Sequence, residues 1–237
     1  ERLSGIASFI GLNILLLFFI ITFNYEQFVE LPKATANQLA EETHERVGAV
    51  IGSILMAIVV IMFYFKGSFN FDKKAKFLKI LAQIWVFLNA ILVISAMLKN
   101  TEYVYYLGLT YKRLGVYAFL SLAIIGLIFT FIKVSKQKTN AYLFNQMFWY
   151  VYGTILVCSF INWGGIITSH NLKREDFAAN YHFNSVDFND KQLLEYYQKT
   201  NNKEMYKILK DKIIARQNKS FLSKVLYDES ISFNESK

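Results

Sequence analysis

The chain holds one cysteine and one proline in 237 residues, and each scarcity removes a class of explanation. A single thiol, Cys158, closes no disulfide within the chain and builds no cysteine metal site. A single proline, Pro32, leaves no proline-rich linker and puts no kinking residue inside an apolar run. Charge is scarce too: 19% of residues are Asp, Glu, Lys or Arg, against 54% hydrophobic and 17% aromatic. That balance is too apolar for an ordinary soluble domain and points to the membrane class. The net charge is +8, yet the basic residues stand at the ends of apolar runs. Such a distribution suits membrane topology and anionic lipid, not nucleic acid.

Signature motifs are missing as well. There is no phosphate-binding loop, no dinucleotide glycine pattern and no nucleophile elbow. His44 sits among acids in "EETHE" (Glu41 to Glu45), but a metalloprotease helix needs a second histidine four residues on. A solvated acidic face is the ordinary reading of such a run. His170 and His182 lie twelve apart with no cysteine partner, so no zinc pattern fits. No catalytic residue, metal ligand or cofactor site is assigned.

Long apolar runs are what the chain does have. Crossing the hydrocarbon core takes about 20 apolar residues in a helix. Five segments qualify, at about 6–24, 47–65, 80–98, 114–132 and 142–163. None has Asp, Glu, Lys, Arg or His in its middle. Backbone in lipid must satisfy its own hydrogen bonds, so these read as helices. The expected fold is all-α: a polytopic helix bundle over 1–163 and a polar helical tail over 164–237, its last ten or so residues disordered. The first run has no small-residue cleavage site after it and reads as a retained helix, not a signal peptide. Between the first two spans, "ATANQLAEETHER" predicts a short helix outside the bilayer.

Orientation follows from Lys and Arg in short loops. Arg2, Lys66, Lys73, Lys74, Lys76, Lys79, Lys133, Lys136 and Lys138 stand on one side; Lys33, Arg46, Lys99, Lys112 and Arg113 stand on the other. The bias puts the N-terminus in the cytoplasm and the tail outside. The tail carries amphipathic stripes: Leu193, Leu194 and Tyr197, then Met205, Ile208, Leu209 and Ile213, with Asn189 or Asp190 as an N-cap. These stripes need a cover, from each other, the membrane surface or a partner.

Three groups of residues stand out. Tyr103, Tyr105, Tyr106, Tyr111, Lys112 and Arg113 gather where a helix meets water. Tyr is enriched there because its ring is apolar and its hydroxyl wet. Two cations in the first turn of a helix oppose its dipole, so they call for an anionic partner. Glu102 or a lipid headgroup would serve. Asn89, Asn145, Gln146, Tyr150 and Asn162 are uncharged polar residues inside spans, where interhelical hydrogen bonding is the default. Four of these five lie in the fifth span, which is therefore expected to be the most enclosed and to touch any cavity. Gly48 and Gly52 form a GxxxG, expected to pack within the chain.

Two stretches, "YLGLTYKRLGVYAF" and "INWGGIITSHNL", resemble a family of bacterial multi-pass membrane proteins. It is catalogued as domain of unknown function 4173, with a relative numbered 4153. The matching residues are Gly108, Leu109, Thr110 and Arg113, then Asn162, Ile166, Ile167 and Asn171. The resemblance covers about 101–174. Family members commonly carry Arg or Lys just before the second Asn, where this chain has Ser169-His170. The resemblance implies the C-terminal portion of a longer polytopic protein and no established activity.

The expected function is a non-enzymatic scaffold, sensor or accessory subunit, in contact with the bilayer and other membrane subunits. A transporter or channel would need a polar cavity around Asn89, Asn145 and Tyr150, and broken helices. An envelope lipid-modifying enzyme would need acids and His at an interface, where only "EETHE" qualifies.

Overall fold

The computed structural model describes residues 2–29, 36–219 and 224–233. It is helical, with no strand among the described residues. Two compact units emerge. The first comprises 1–107 and 112–159; the second comprises Gly108–Tyr111 and 160–237.

The first unit is built from α1 (Arg2–Val29), α2 (Ala36–Tyr64), the single turn α3 (Ser68–Phe71), α4 (Lys76–Leu107), α5 (Tyr111–Ser135, whose first residue belongs to the second unit) and α6 (Asn140–Ser159). A 3-10 turn over Lys73–Ala75 leads into α4. Among the described residues, four helices are long and apolar enough to cross a membrane by themselves: α1, the Val47–Tyr64 part of α2, α4 and α5. The fifth candidate needs α6 together with the next helix, α7 (Trp163–Asn171), because the helix breaks between them. The last predicted span therefore stops at Ser159, not at residue 163.

Helix α4 is the spine of this unit, packed against both α1 and α2. At 32 residues and 1.5 Å per residue it is about 48 Å long, well beyond a hydrocarbon core of about 30 Å. The buried stripes show why these helices associate. Val50, Ile54, Ala57 and Ile61 of α2, and Leu120, Ala123, Leu127, Thr130 and Val134 of α5, recur at alternating three- and four-residue steps. That spacing draws a seam along one side of a helix. Phe9, Leu16, Ile20 and Phe23 of α1 do the same.

Several expectations are corrected here. The separate helix between the first two spans does not exist, since α2 is one element from Ala36; the "EETHE" side chains lie outside the described residues. Gly48 and Gly52 face open space, with nothing within 4 Å of an added Cβ. The seam of α2 lies on Val50, Ile54 and Ala57, and the two glycines fall off it. Helix α6, expected to be the most enclosed, is the least, with Leu143 its one buried residue. Its aromatic girth faces outward: Phe148 is 65% exposed, Trp149 61% and Ile155 65%. Aromatic side chains on a span tell of an apolar environment, and lipid supplies that as well as a neighbouring helix does.

The second unit holds α7, α8 (Ala179–Ser185), α9 (Asp190–Lys199), α10 (Lys203–Gln217) and the turn α11 (Leu226–Glu229). Its amphipathic stripes cover each other. Leu193, Leu194 and Tyr197 of α9 meet Leu209 and Ile213 of α10, with Ile231 closing the cluster. Ile208, expected in the stripe, is 45% exposed. Residues 228–233 are not the loose end expected of them: Asp228 and Ile231 are buried. Residues 234–237 lie outside the described residues. Asn202 caps α10 by accepting from the Met205 N–H.

One charged group ties three helices. The Arg216 guanidinium reaches Asp190 at 2.6 Å and Asp228 at 3.1 Å, and both aspartates are buried. Removing one partner of a buried pair strands the other charge. Arg216→Met is expected to destabilise the second unit by roughly 3–5 kcal/mol, read by thermal unfolding of the detergent-solubilised chain.

Candidate functional site

The tyrosine-rich stretch is not a loop. Tyr103, Tyr105 and Tyr106 lie in the last turns of α4, and only Gly108–Thr110 breaks the helix before α5 begins at Tyr111. Tyr103 is buried, with the Arg113 guanidinium 4.0 Å above its ring. Tyr105 and Tyr106 are exposed and pack edge to face. Arg113 also donates from Nη1 to the carbonyl of Leu107 at 2.8 Å. A cation in the first turn of α5 thus serves the last turn of α4, whose free carbonyls favour positive charge. This resolves the misplaced-cation puzzle for Arg113. Glu102 accepts from Lys99 at 2.9 Å, and Lys112 is exposed. Asn100, which sequence reasoning passed over, is buried and donates to the Arg113 carbonyl at 3.2 Å.

The predicted intramembrane polar cluster does not assemble. Asn89 is fully buried in α4, its amide nitrogen donating to the Trp85 carbonyl one turn back. Asn145 and Tyr150 are on the exposed surface of α6, and the Tyr150 ring packs at a tilt against Phe129. Gln146 is half-buried. Each amide in a helix can satisfy itself on its own backbone, so shared composition does not imply a shared cavity. Asn162 is not in a span at all. It caps α7, accepting from the Gly165 N–H at 2.9 Å, and donates to the Phe188 carbonyl at 2.8 Å.

The most organised polar site lies in the second unit, around Asn171. Its Oδ1 accepts the Leu109 N–H at 2.7 Å, and its Nδ2 donates to the Leu109 carbonyl at 2.8 Å. One amide thereby satisfies both backbone groups of a buried residue 62 positions away. Gly108 makes this approach possible. Its φ is +79°, and a Cβ there would stand 2.9 Å from Asn171 Oδ1. The Gly-Leu-Thr stretch and the second Asn, paired by resemblance alone in the sequence, meet in one contact.

Behind Asn171 the network continues through buried groups. Asn171 Nδ2 lies 3.2 Å from His182 Nε2, and His182 Nδ1 lies 2.9 Å from Thr168 Oγ1. Asn189 donates to Thr168 Oγ1 and to the His182 carbonyl, both at 2.9 Å. It occupies the N-cap position of α9 as expected, but its side chain is spent on this network instead of the cap. The Asn171 amide cannot flip without losing Leu109, so it presents a donor to Nε2. Neutral His182 with its proton on Nδ1 satisfies both contacts. Burial pushes the His182 pKa below its usual value. Gly164 completes the packing: an added Cβ would collide with the Asp187 carbonyl.

On the outer side of α7, a cleft of about 470 Å³ is lined by Asn162, Ile166, Ser169, His170, Lys173 and Gln192. The Gln192 carbonyl oxygen is buried there without a partner. Ser169 and His170 line it side by side on α7, an arrangement that supplies polar contacts but no relay for a nucleophile.

Helices of spanning length and high apolar content make this an α-helical integral membrane protein. It belongs to the family described as Domain of unknown function (DUF4153), whose model matches residues 1–193. No curated protein and no solved structure matches the chain.

Two outcomes are expected at this site. Asn171→Ala leaves the buried Leu109 N–H and C=O unpaired, at a cost of roughly 2–4 kcal/mol, visible as a lower melting temperature in detergent. For His182 the folded pKa lies below the unfolded value near 6.5, so its contribution is full above about pH 6.5 and is lost as pH falls through the folded pKa. Melting of the second unit should therefore drop on acidification from pH 7.5 to 5, and His182→Gln should blunt that drop.

Proposed function

We propose that this chain is a non-enzymatic membrane subunit, a scaffold or sensor that presents its second unit as a contact module. The observation that carries this reading is the second unit itself: a folded body with its own apolar core, not a loose tail. It also takes in the connector Gly108–Tyr111, so the chain passes between the two units at 107/108, 111/112 and 159/160. Repeated covalent passage suits a module held at the membrane more than a tethered substrate. A groove of about 520 Å³ beside Lys191, Glu195, Gln198, Tyr206 and Lys210 offers it a polar docking edge. The lysine bias across the short loops supports a bacterial inner-membrane setting, with the N-terminus in the cytoplasm and the second unit outside. The Gly108-Leu109-Thr110 and Asn162…Asn171 pattern supports kinship with family 4173 beside 4153. The transport alternative has less behind it, since Asn89 is buried and bonded to its own helix while Asn145 and Tyr150 stand on the exposed surface of α6.

The test is purification from the source membrane in a mild detergent, followed by quantitative mass spectrometry. A second protein at fixed stoichiometry is expected. Charge reversal at the groove (Lys191→Glu with Glu195→Lys) should lower its occupancy roughly tenfold without moving the melting temperature. A chain that purifies alone and drives solute uptake in proteoliposomes would overturn the reading.

A further inference from the structure

Within the first unit, α2, α5 and α6 line a half-open cavity of about 390 Å³. Ile58, Met62, Leu122, Gly126, Phe144 and Met147 are among its walls. The one hydroxyl on that wall, Thr130, donates back to the Gly126 carbonyl at 2.7 Å. Nothing in the walls calls for a polar occupant. Apolar cavities of less than half this volume stay dry and take up hydrocarbon.

One end of the cavity is different. Met62 and Thr130 line it, and beyond them the last carbonyls of α2 are held by side chains from later in the chain. Asn140 donates to the Met62 carbonyl at 3.3 Å, and the fully buried Lys133 ammonium donates to the Phe65 carbonyl at 3.2 Å. Asn70, 1% exposed, donates to the Lys138 carbonyl at 2.6 Å. The amide oxygens of Asn70 and Asn140 are buried with no partner. Around this end stand the exposed Lys66, Lys136 and Lys138. Asp72 is the one acid of the 66–79 and 133–140 turns, and it is engaged by the Lys74 N–H and Arg2. Helix α6 begins here too, at Asn140, and its Tyr142 N–H donates to Thr139 Oγ1.

A cavity that wants hydrocarbon, with a cationic and hydrogen-bonding end beyond Met62 and Thr130, matches one kind of molecule. We propose that the α2–α5–α6 cavity holds an acyl chain of an anionic phospholipid, with the headgroup phosphate at Lys136, Lys138 and the start of α6. The apolar walls select the chain. Lysines near a membrane surface select the anionic head, and the positive end of the α6 dipole adds to their field. This site is separate from the docking groove of the second unit and does not rest on the accessory-subunit reading.

The experiment uses the full chain in nanodiscs of defined lipid, with native mass spectrometry after delipidation and thermal melting as readouts. One phosphatidylglycerol per chain should survive delipidation, and phosphatidylglycerol should raise the melting temperature where phosphatidylcholine does not. Lys136→Gln with Lys138→Gln should weaken retention about thirtyfold while melting in phosphatidylcholine stays unchanged. Leu122→Trp, which fills the cavity, should abolish retention and keep the melting temperature in phosphatidylcholine. Equal retention of the two lipids, or retention unaffected by the lysine pair, would overturn the proposal. Loss of binding in the lysine variant but none in Leu122→Trp would show a headgroup held at the surface without its chain, and would overturn it as well.

Discussion

One side chain governs the second unit: Asn171, whose amide closes on both backbone groups of Leu109. A connector between two membrane helices would ordinarily lie on a surface, because its backbone needs water. Here Leu109 is 7% exposed, and Asn171 replaces the water it loses. The constraint propagates. Gly108 must be glycine to admit the amide at a positive φ. His182 must present an acceptor to the remaining hydrogen of that amide, so it stays neutral. Thr168 and Asn189 then satisfy the other side of the ring. Each member is fixed by the one before it, and the chain of demands begins with a single buried dipeptide.

The membrane unit obeys a looser rule. Its helices need only apolar surfaces and satisfied backbones, and they sort themselves by seams spaced at three and four residues. Polar groups that strayed into these helices turned inward on local carbonyls, as Asn89 and Thr130 do. Others reach a neighbouring helix, as Asn13 does to the Leu81 carbonyl and Asn100 to that of Arg113, and two more sit at the lysine-rich end. There Lys133 and Asn140 reach across helices to cap α2. Capping with a cation suits the negative end of a helix dipole, and it leaves the exposed lysines of the same turn available for other anions.

Much of the fold was legible because membrane helices announce themselves locally. A run of about twenty apolar residues is a property of composition, and four of the five runs stand as helices of spanning length by themselves. The helix break near Gly108 was legible for the same reason, as was the N-cap position at Asn189. What could not be read was pairing across distance. Nothing local marks Asn171 as the partner of Leu109, and the polarity of α6 gave no hint of which neighbours it lacks. Arg113 looked misplaced at a helix start because its real partner, the end of α4, is a neighbour in space. Gly48 and Gly52 have the spacing of a packing motif but not the facing helix. Resemblance joined the two motifs around Asn171 before geometry did, and the geometry supplied the reason.

The most direct test is hydrogen exchange at the Leu109 amide in the intact, nanodisc-embedded chain. If Asn171 holds that residue, its N–H exchanges as slowly as the buried core of α9 and α10. Exchange at the rate of an open connector, with the α9–α10 core still protected, would contradict the clamp.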